Sequence, residues 1–124
     1  MTYVDGFVLP VPTRNLPVHR RMAQKAAKIW REHGAIEYRE CVGDDLNVKG
    51  MLTFPKLAKS KTGETVVFAW SAYKSRADRD RIVAKVMKDS RLDHQTDPKT
   101  LPFDFKEMAY GGFKVFVDGF ATQK

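Results

Sequence analysis

The amino-acid sequence predicts an α+β fold of the ferredoxin-like βαββαβ plan, with a four-stranded antiparallel sheet, and two observations lead to this prediction. Four apolar runs with strand character alternate with two helical segments in the order β-α-β, β-α-β. The first and third runs are apolar on both faces, as strands at the centre of a covered sheet are. Right-handed crossovers put those two strands side by side in the middle of the sheet, with both helices on one face.

The opposite face of this sheet then stays apolar and uncovered. An exposed apolar face of that size marks an interface, and a second copy of the chain is the simplest partner. We therefore expect a homodimer in which two sheets pack face to face.

Composition limits the class of protein. A length of 124 residues suits one domain spanning 1–124, with residues 118–124 as a tail. The hydrophobic share of 43% suffices for a core, and neither a bilayer-spanning apolar run nor an N-terminal signal pattern is present. The single cysteine, Cys41, excludes an internal disulfide. These features are typical of a cytoplasmic protein.

Residues 2–11 form the first predicted strand, and the first helix follows it. Thr13 or Asn15 is expected to cap this helix, and Gly34 suits the left-handed conformation just past its end. Its apolar stripe recurs at spacings of three and four, through Val18, Met22, Ala26, Ile29, Trp30 and His33.

The second and third strands differ in polarity. Residues 35–42 alternate between apolar and charged side chains, which favours an edge strand. Residues 46–63 are predicted to be an exposed connection, with 51–54 as a short strand or a packed turn. The run Glu64–Tyr73 is the third strand. We expect its bulky side chains to meet the helices and the smaller set to face the partner sheet, although the pattern also allows the reverse; the bulky set is Val66, Phe68, Trp70 and Ala72.

The second helix is predicted to begin after Ser75, which caps it with support from Asp78. Residues 92–107 contain prolines and many polar groups, so we expect a long surface excursion with at most one short helical turn. Residues 108–117 form the last strand. Within it, Gly111-Gly112 predicts a bulge or a close approach by another group.

Several segments, taken together, resemble the YbaA-like family, also known as domain of unknown function 1428. They are Tyr3-Val4-Asp5-Gly6-Phe7, Glu64-Thr65-Val66-Val67-Phe68-Ala69-Trp70, Asp89-Ser90-Arg91, Pro102-Phe103-Asp104 and Tyr110-Gly111-Gly112-Phe113. The resemblance covers nearly the whole chain and departs at Ser90, where the family usually has Pro. It implies the dimeric α/β-barrel superfamily, and hence the fold and homodimer expected above, but no established activity. Some members carry a label concerning signal-recognition-particle RNA.

One group of side chains on the predicted strands is a candidate lining for a pocket that takes a small hydrophobic or aromatic ligand. Its members are Tyr3, Asp5, Phe7, Tyr38, Trp70, Tyr73 and Tyr110. The alternative role of the aromatic members is core and dimer interface. The resemblance implies that relatives have such pockets and that some catalyse oxygenation or isomerisation without a cofactor. A small-molecule-binding protein or cofactor-independent enzyme is therefore our first hypothesis.

Asp5 is unusual because a carboxylate in an apolar strand is costly unless it is paired, and burial raises its pKa. It is either a structural partner of a tyrosine or arginine, with Arg79 and Arg39 as candidates, or a general base. The structural role is favoured.

The net charge of +7 leads to a second hypothesis, RNA binding through basic side chains. The candidates are Arg20, Arg21, Lys25 and Lys28 on the first helix, with Lys56, Lys59 and Lys61 in the connection. An ordinary solvated surface explains the same pattern. A third hypothesis is a non-catalytic dimeric interaction module.

No motif points to metal or covalent chemistry. His19 is expected on the wet face of the first helix, His33 at its end and His94 in a loop, so no metal site is predicted. Cys41 is expected to be a small buried apolar group. The sequence has no P-loop, dinucleotide-binding glycine pattern or nucleophile elbow, and we expect no cofactor.

Overall fold

The computed structural model describes residues 2–92 and 101–120 of the chain. Its elements are β1 (Tyr3–Pro12), α1 (Leu16–His33), β2 (Glu37–Val42), α2 (Phe54–Ala58), β3 (Glu64–Tyr73), α3 (Arg76–Met87) and β4 (Ala109–Lys114). The predicted βαββαβ order is confirmed. The short helix α2 is not part of the prediction, and it begins at the end of the segment 51–54, for which the sequence suggests a strand or a turn. The Thr53 side chain caps this helix by accepting a hydrogen bond from the Lys56 N–H.

The four strands form one antiparallel sheet in the order β2-β3-β1-β4. The two doubly apolar strands are thus the central pair, and β2 is an edge, both as predicted. In the register, Asp5 lies opposite Ser71 on β3 and Gly112 on β4, and Tyr38 on β2 also lies opposite Ser71. Paired residues point to the same face of a sheet, so these positions share one face.

Gly34 ends α1 and Ser75 begins α3 as the sequence indicated, but the expectation that Thr13 or Asn15 caps α1 is wrong, because neither side chain makes the capping hydrogen bond. Gly34 follows α1 with φ +119°, and the Ser75 hydroxyl accepts a hydrogen bond of 3.1 Å from the Asp78 N–H at the start of α3. Asn15 precedes α1, but its amide donates to the carbonyl of Pro102 at 3.2 Å instead of capping the helix. This contact fixes the segment after residue 100 against the start of α1.

The helices α1 and α3 cover the sheet face that carries Tyr73. The Tyr73 ring is fully buried in a core with Ile29 of α1 and with Ile82 and Val86 of α3. Because side chains alternate along a strand, Ser71 and Ala69 share this face with Tyr73. The expectation that the bulky set of this strand meets the helices is therefore wrong.

The opposite face of the sheet, the outer sheet face, carries Val4, Val8, Phe68, Trp70 and Phe113. Phe68 is 43% exposed and Phe113 is 62% exposed. The Phe54 ring of α2 packs on this face, with its centre 6.0 Å from the centre of the Phe68 ring. The indole N–H of Trp70 donates to a carboxylate oxygen of Glu37 at 3.0 Å on the same side. The sheet thus presents an aromatic surface away from α1 and α3.

The segment 101–108 agrees only in part with the expectation of a surface excursion: residues 104–106 are exposed and Phe105–Glu107 form the expected short helical turn, but other side chains pack inward. Pro102 is fully buried, and Phe103 and Met108 pack against a core formed by Leu9, Val11 and Val67. Residues 93–100, including the predicted loop position of His94, lie outside the described residues.

Gly112 is required by a close approach rather than by a bulge. The pairing of β1 with β4 is continuous across it, and a Cβ added there would overlap the hydroxyl and ring of Tyr3. Glycine at this position leaves room for the Tyr3 side chain, which any larger residue would displace.

Candidate ligand site

A cavity of about 680 Å³ lies between the sheet, the two long helices and the segment 101–108. Its walls are mainly apolar, and they include Phe7, Met22, Ala26, Trp30, Val83 and Phe103. Small side chains on both sides create the space, since Ala23 and Ala26 of α1 face Ala69 of β3. Polar groups reach the cavity at two places, described in turn below.

The first polar group is centred on Asp5, which is 2% exposed. One of its carboxylate oxygens accepts hydrogen bonds from Arg79 Nη1 at 3.0 Å and from the Tyr110 hydroxyl at 3.1 Å. Arg79 Nη1 also donates to the Tyr110 hydroxyl at 2.6 Å, and its guanidinium carbon lies 4.9 Å from the centre of the Tyr3 ring. The three side chains form a closed hydrogen-bonded triangle.

Burial raises the pKa of Asp5 above its ordinary value, and the hydrogen bond from Tyr110 and the charge of Arg79 oppose that effect. Of the two arginines proposed as partners, Arg79 is the one that pairs with it. Arg39 lies on the outer sheet face, where its nearest acidic contact is Glu37 at 3.7 Å. This pairing agrees with the structural role favoured for Asp5.

Next to this triangle, Tyr73 joins strand and helix. Its hydroxyl accepts a hydrogen bond from the Trp30 indole N–H at 3.0 Å and lies 2.8 Å from the Ser71 hydroxyl. Burial raises the pKa of Tyr73 to about 12. The phenol therefore keeps its proton at neutral pH and holds α1 on the sheet.

The second polar group comprises His19, Glu40 and Tyr38. His19 Nε2 lies 2.8 Å from one carboxylate oxygen of Glu40, and the Tyr38 hydroxyl donates to the other oxygen at 2.8 Å. Only 8% of His19 is exposed, so the expectation of a wet-face residue is wrong. Its burial is compensated by Glu40, which projects from β2 toward α1.

Tyr38 of this second group is a predicted pocket residue, whereas His19 and Glu40 are not, although the sequence contains a signal for His19. His19 precedes Met22, Ala26 and Trp30 at spacings of three and four, so it belongs to the same helix face. The neighbouring Val18, which is predicted to belong to the apolar stripe of this helix, is 38% exposed.

The seven predicted pocket residues divide into three groups. Asp5, Phe7, Tyr38 and Tyr110 line the cavity. Tyr3 and Tyr73 are buried behind it. Trp70 borders the cavity at its strand, but its ring lies on the outer sheet face beside Phe68, with ring centres 5.6 Å apart.

A second, more open groove of about 880 Å³ runs between α1 and β2. Ala27 and Val42 line it but not the cavity. His19, Tyr38 and Glu40 contribute to both spaces and form the wall between them.

The predicted nucleic-acid residues are all exposed, namely Arg20, Arg21, Lys25, Lys28, Lys56, Lys59 and Lys61. Those of α1 lie on the helix-covered side of the sheet. Helix α2, which carries Lys56, packs against Phe68 on the outer sheet face. The two basic segments therefore lie on opposite sides of the sheet rather than on one continuous surface.

Cys41 and the possible metal ligands are the remaining candidates for site chemistry in the part of the chain that the structure describes. Cys41 is exposed, so the expectation of a buried apolar group is wrong. No group of three or more His, Cys, Asp or Glu side chains within residues 2–92 and 101–120 could hold a metal ion. Over the same residues, none of the helices has both the length and the apolar character needed to cross a membrane.

These observations define the class of the protein, a ferredoxin-like α+β fold with an apolar cavity between sheet and helices. The chain belongs to the family described as "Protein of unknown function (DUF1428)", which matches residues 2–105 and confirms the resemblance. It is 39% identical over 118 residues to the uncharacterized protein YbaA of Escherichia coli strain K12, covering 95% of this chain and 99% of that protein. YbaA of Shigella flexneri matches with the same identity and coverage.

Solved structures share the fold at low sequence identity. An uncharacterized NIPSNAP domain protein from Burkholderia xenovorans has a TM-score of 0.57 at 13% identity, covering 98% of this chain and 99% of that one. A putative antibiotic biosynthesis monooxygenase from Bacillus cereus has a TM-score of 0.54 at 13% identity, with full coverage of both chains, 100% and 100%. A dimeric ferredoxin-like protein from an uncultured marine organism has a TM-score of 0.53 at 11% identity, covering 91% and 92%. At these identities the likeness concerns the fold alone.

Proposed function

We propose that this protein is a single-domain homodimer that binds a small, largely apolar or aromatic molecule in the cavity between the sheet and the helices. The cavity itself carries the proposal: its volume of about 680 Å³ and its apolar walls with a few polar groups match the usual form of a small-molecule site. Such a cavity also meets the needs of a cofactor-independent enzyme, and the fold is shared with a protein described as a putative antibiotic biosynthesis monooxygenase.

A ligand screen by thermal shift tests the proposal, with two alanines of α1 as a matched pair. Ala26 lines the cavity, and its neighbour Ala27 lines the adjoining groove between α1 and β2. We expect a ligand at about 100 times its Kd to raise the Tm of the wild-type protein by roughly 10 °C. Ala26→Phe should abolish this increase because the new ring projects into the cavity and occupies space that the ligand needs, and Ala27→Phe should retain it.

The opposite result, with binding lost in Ala27→Phe and kept in Ala26→Phe, would assign the ligand to the groove and contradict the proposal. Absence of any stabilising compound from a broad panel of aromatic and aliphatic molecules, with a stable dimer, would favour the non-catalytic interaction module instead.

The outer sheet face supports the homodimer. Phe68 and Phe113 are 43% and 62% exposed there. Trp70, whose indole N–H donates to Glu37, lies on the same face. A surface of this kind favours burial against a partner. A fold neighbour described as a dimeric ferredoxin-like protein adds support for a second copy as that partner.

Phe68→Asp should weaken the dimer at least about tenfold, because a carboxylate would be buried in an apolar interface. Analytical ultracentrifugation over a range of concentrations measures the change. Val42→Asp is the control, since Val42 is 56% exposed but belongs to the groove on the helix side. A wild-type protein that sediments as a monomer at tens of micromolar would refute the homodimer.

A further inference from the structure

His19 lines the cavity, and one of its ring nitrogens, Nδ1, is buried. Among residues 2–92 and 101–120, Nδ1 is the only buried side-chain nitrogen or oxygen that makes no hydrogen bond. The His19 side chain as a whole is 10% exposed. Native proteins leave few buried polar atoms unpaired, and such an atom often marks a place where a ligand or water completes the structure.

The neighbours of His19 determine which role this atom has. Burial raises the pKa of Tyr38 above its ordinary value and the charge of Glu40 adds to the effect, so the phenol keeps its proton and donates it to Glu40. An ionised carboxylate only accepts hydrogen bonds, so His19 Nε2, 2.8 Å from the other carboxylate oxygen, carries a proton and donates it. In a neutral imidazole with a proton on Nε2, Nδ1 is an acceptor.

We propose that His19 Nδ1 accepts a hydrogen bond from a hydroxyl group of the ligand, and that the ligand is a phenol or another hydroxylated aromatic compound. This inference rests on the proposed function, because it assigns a chemical class to the molecule in the same cavity. The aromatic part is favoured by the rings of Trp30 and Phe103 in the wall. The hydroxyl is favoured because an acceptor needs a donor.

The Asp5 group differs from His19 in this respect. Oδ1 of Asp5 already accepts from Arg79 and Tyr110, and Tyr110 is itself held by Arg79. His19 Nδ1 is buried and makes no hydrogen bond within residues 2–92 and 101–120, so it is the atom at which we place the ligand hydroxyl.

The ring of Phe103 lies edge-on against the imidazole, with ring centres 5.5 Å apart. Phe103 belongs to the segment 101–108, which closes the cavity beside α1. Because Nδ1 has no exposed surface, a ligand hydroxyl reaches it only if a neighbouring side chain moves, and Phe103 is the aromatic side chain that lies against the imidazole.

Binding of 2-naphthol and its methyl ether, 2-methoxynaphthalene, tests the inference by calorimetry. The two compounds have the same aromatic area, but the ether has no hydroxyl proton. We expect the wild-type protein to bind 2-naphthol about tenfold more tightly than the ether, the ratio expected for one hydrogen bond.

His19→Gln isolates the contribution of Nδ1. The glutamine amide nitrogen takes the position of Nε2 and keeps the bond to Glu40, but no glutamine atom replaces Nδ1. In this variant we expect the preference for 2-naphthol to fall to within about twofold, with the affinity for the ether unchanged. His33→Gln is the matched control, because His33 pairs with Asp89 at the far end of α1 and does not line the cavity.

Equal affinities for the two compounds in the wild-type protein would overturn the inference, and so would a preference that survives in His19→Gln. If neither compound binds, the inference also falls, whereas the proposed function stands if another ligand stabilises the wild-type protein and not Ala26→Phe. A ligand-free readout is independent of binding: ¹⁵N NMR of the imidazole should show a proton on Nε2 of His19 and none on Nδ1. A proton on Nδ1, with or without one on Nε2, would refute the acceptor role.

Discussion

Asp5→Ala is expected to lower the free energy of unfolding by about 3 kcal/mol, the largest effect we predict for a single polar substitution in this protein. The substitution leaves the Arg79 guanidinium, whose side chain is only 14% exposed, without its buried partner. Asp80 still contacts Arg79, but it is 62% exposed and does not replace a buried partner, and a poorly compensated buried charge is the main cause of such losses. The Tyr110 hydroxyl loses its acceptor at the same time. Urea denaturation at neutral pH measures the change.

A matched control uses the other carboxylate that contacts Arg79. Asp80 lies 2.9 Å from Arg79 Nε, but its side chain is 62% exposed. Ion pairs at such positions contribute little, so Asp80→Ala should cost less than about 1 kcal/mol. The double variant Asp5→Ala/Arg79→Met removes both buried charges and should recover much of the stability lost in Asp5→Ala. Equal losses from Asp5→Ala and Asp80→Ala would contradict the assignment of Asp5 as the buried partner.

Tyr73→Phe is expected to lower the free energy of unfolding by about 2 kcal/mol at neutral pH, and this difference should disappear in alkali. At neutral pH the variant leaves the Trp30 N–H and the Ser71 hydroxyl without their shared partner. In alkali the titration of Tyr73 determines the difference in stability. Its pKa is about 12 in the folded protein, against an ordinary value of about 10.

The sign follows from proton binding. Between pH 10 and pH 12 the unfolded chain has lost the Tyr73 proton and the folded protein retains it. The unfolded state then binds fewer protons, so the free energy of unfolding falls as the pH rises through this window. The loss over two pKa units is about 2.7 kcal/mol. Because Phe does not titrate, the stabilities of the two proteins should converge.

Ser71→Ala separates the two causes in this second prediction. It removes the hydrogen bond between Ser71 and Tyr73 and leaves the tyrosine able to titrate. The variant should therefore lose stability at neutral pH and still follow the wild-type decline in alkali. Denaturation at pH 8, 10, 11 and 11.5 distinguishes the three proteins, and parallel curves for wild type and Tyr73→Phe would exclude titration of Tyr73 as a cause of the decline.

Local sequence was sufficient for the elements that depend on neighbours along the chain. The strand Glu64–Tyr73 was predicted with its observed ends because a run of β-branched and aromatic residues stops where Ser75 begins a helix. Gly34 ended α1 as predicted because the left-handed backbone favours glycine. Helix α2 was missed because five residues with a proline carry no measurable helical period.

The candidate site could be predicted only in part. Asp5 was recognisable because a charge in an apolar strand needs a partner. The sequence could not show whether that partner is Arg79 or Arg39, because the answer depends on the tertiary structure. Arg79 lies on the helix above Asp5, whereas Arg39 points to the other side of an edge strand. His19 was misplaced because its partner, Glu40, is distant in sequence, and a helical pattern does not reveal a pair formed across two elements.

The sequence by itself determined the order of the elements and the central position of β1 and β3, because both follow from periodicity and from the handedness of crossovers. Only the tertiary structure decided which face of β3 meets the helices. Alternation defines two faces but not their direction, and the small side chains of Ala69 and Ser71 were placed beneath the helices. Because those side chains are small, the space above them stays open, and that space is the cavity in which we propose the ligand binds.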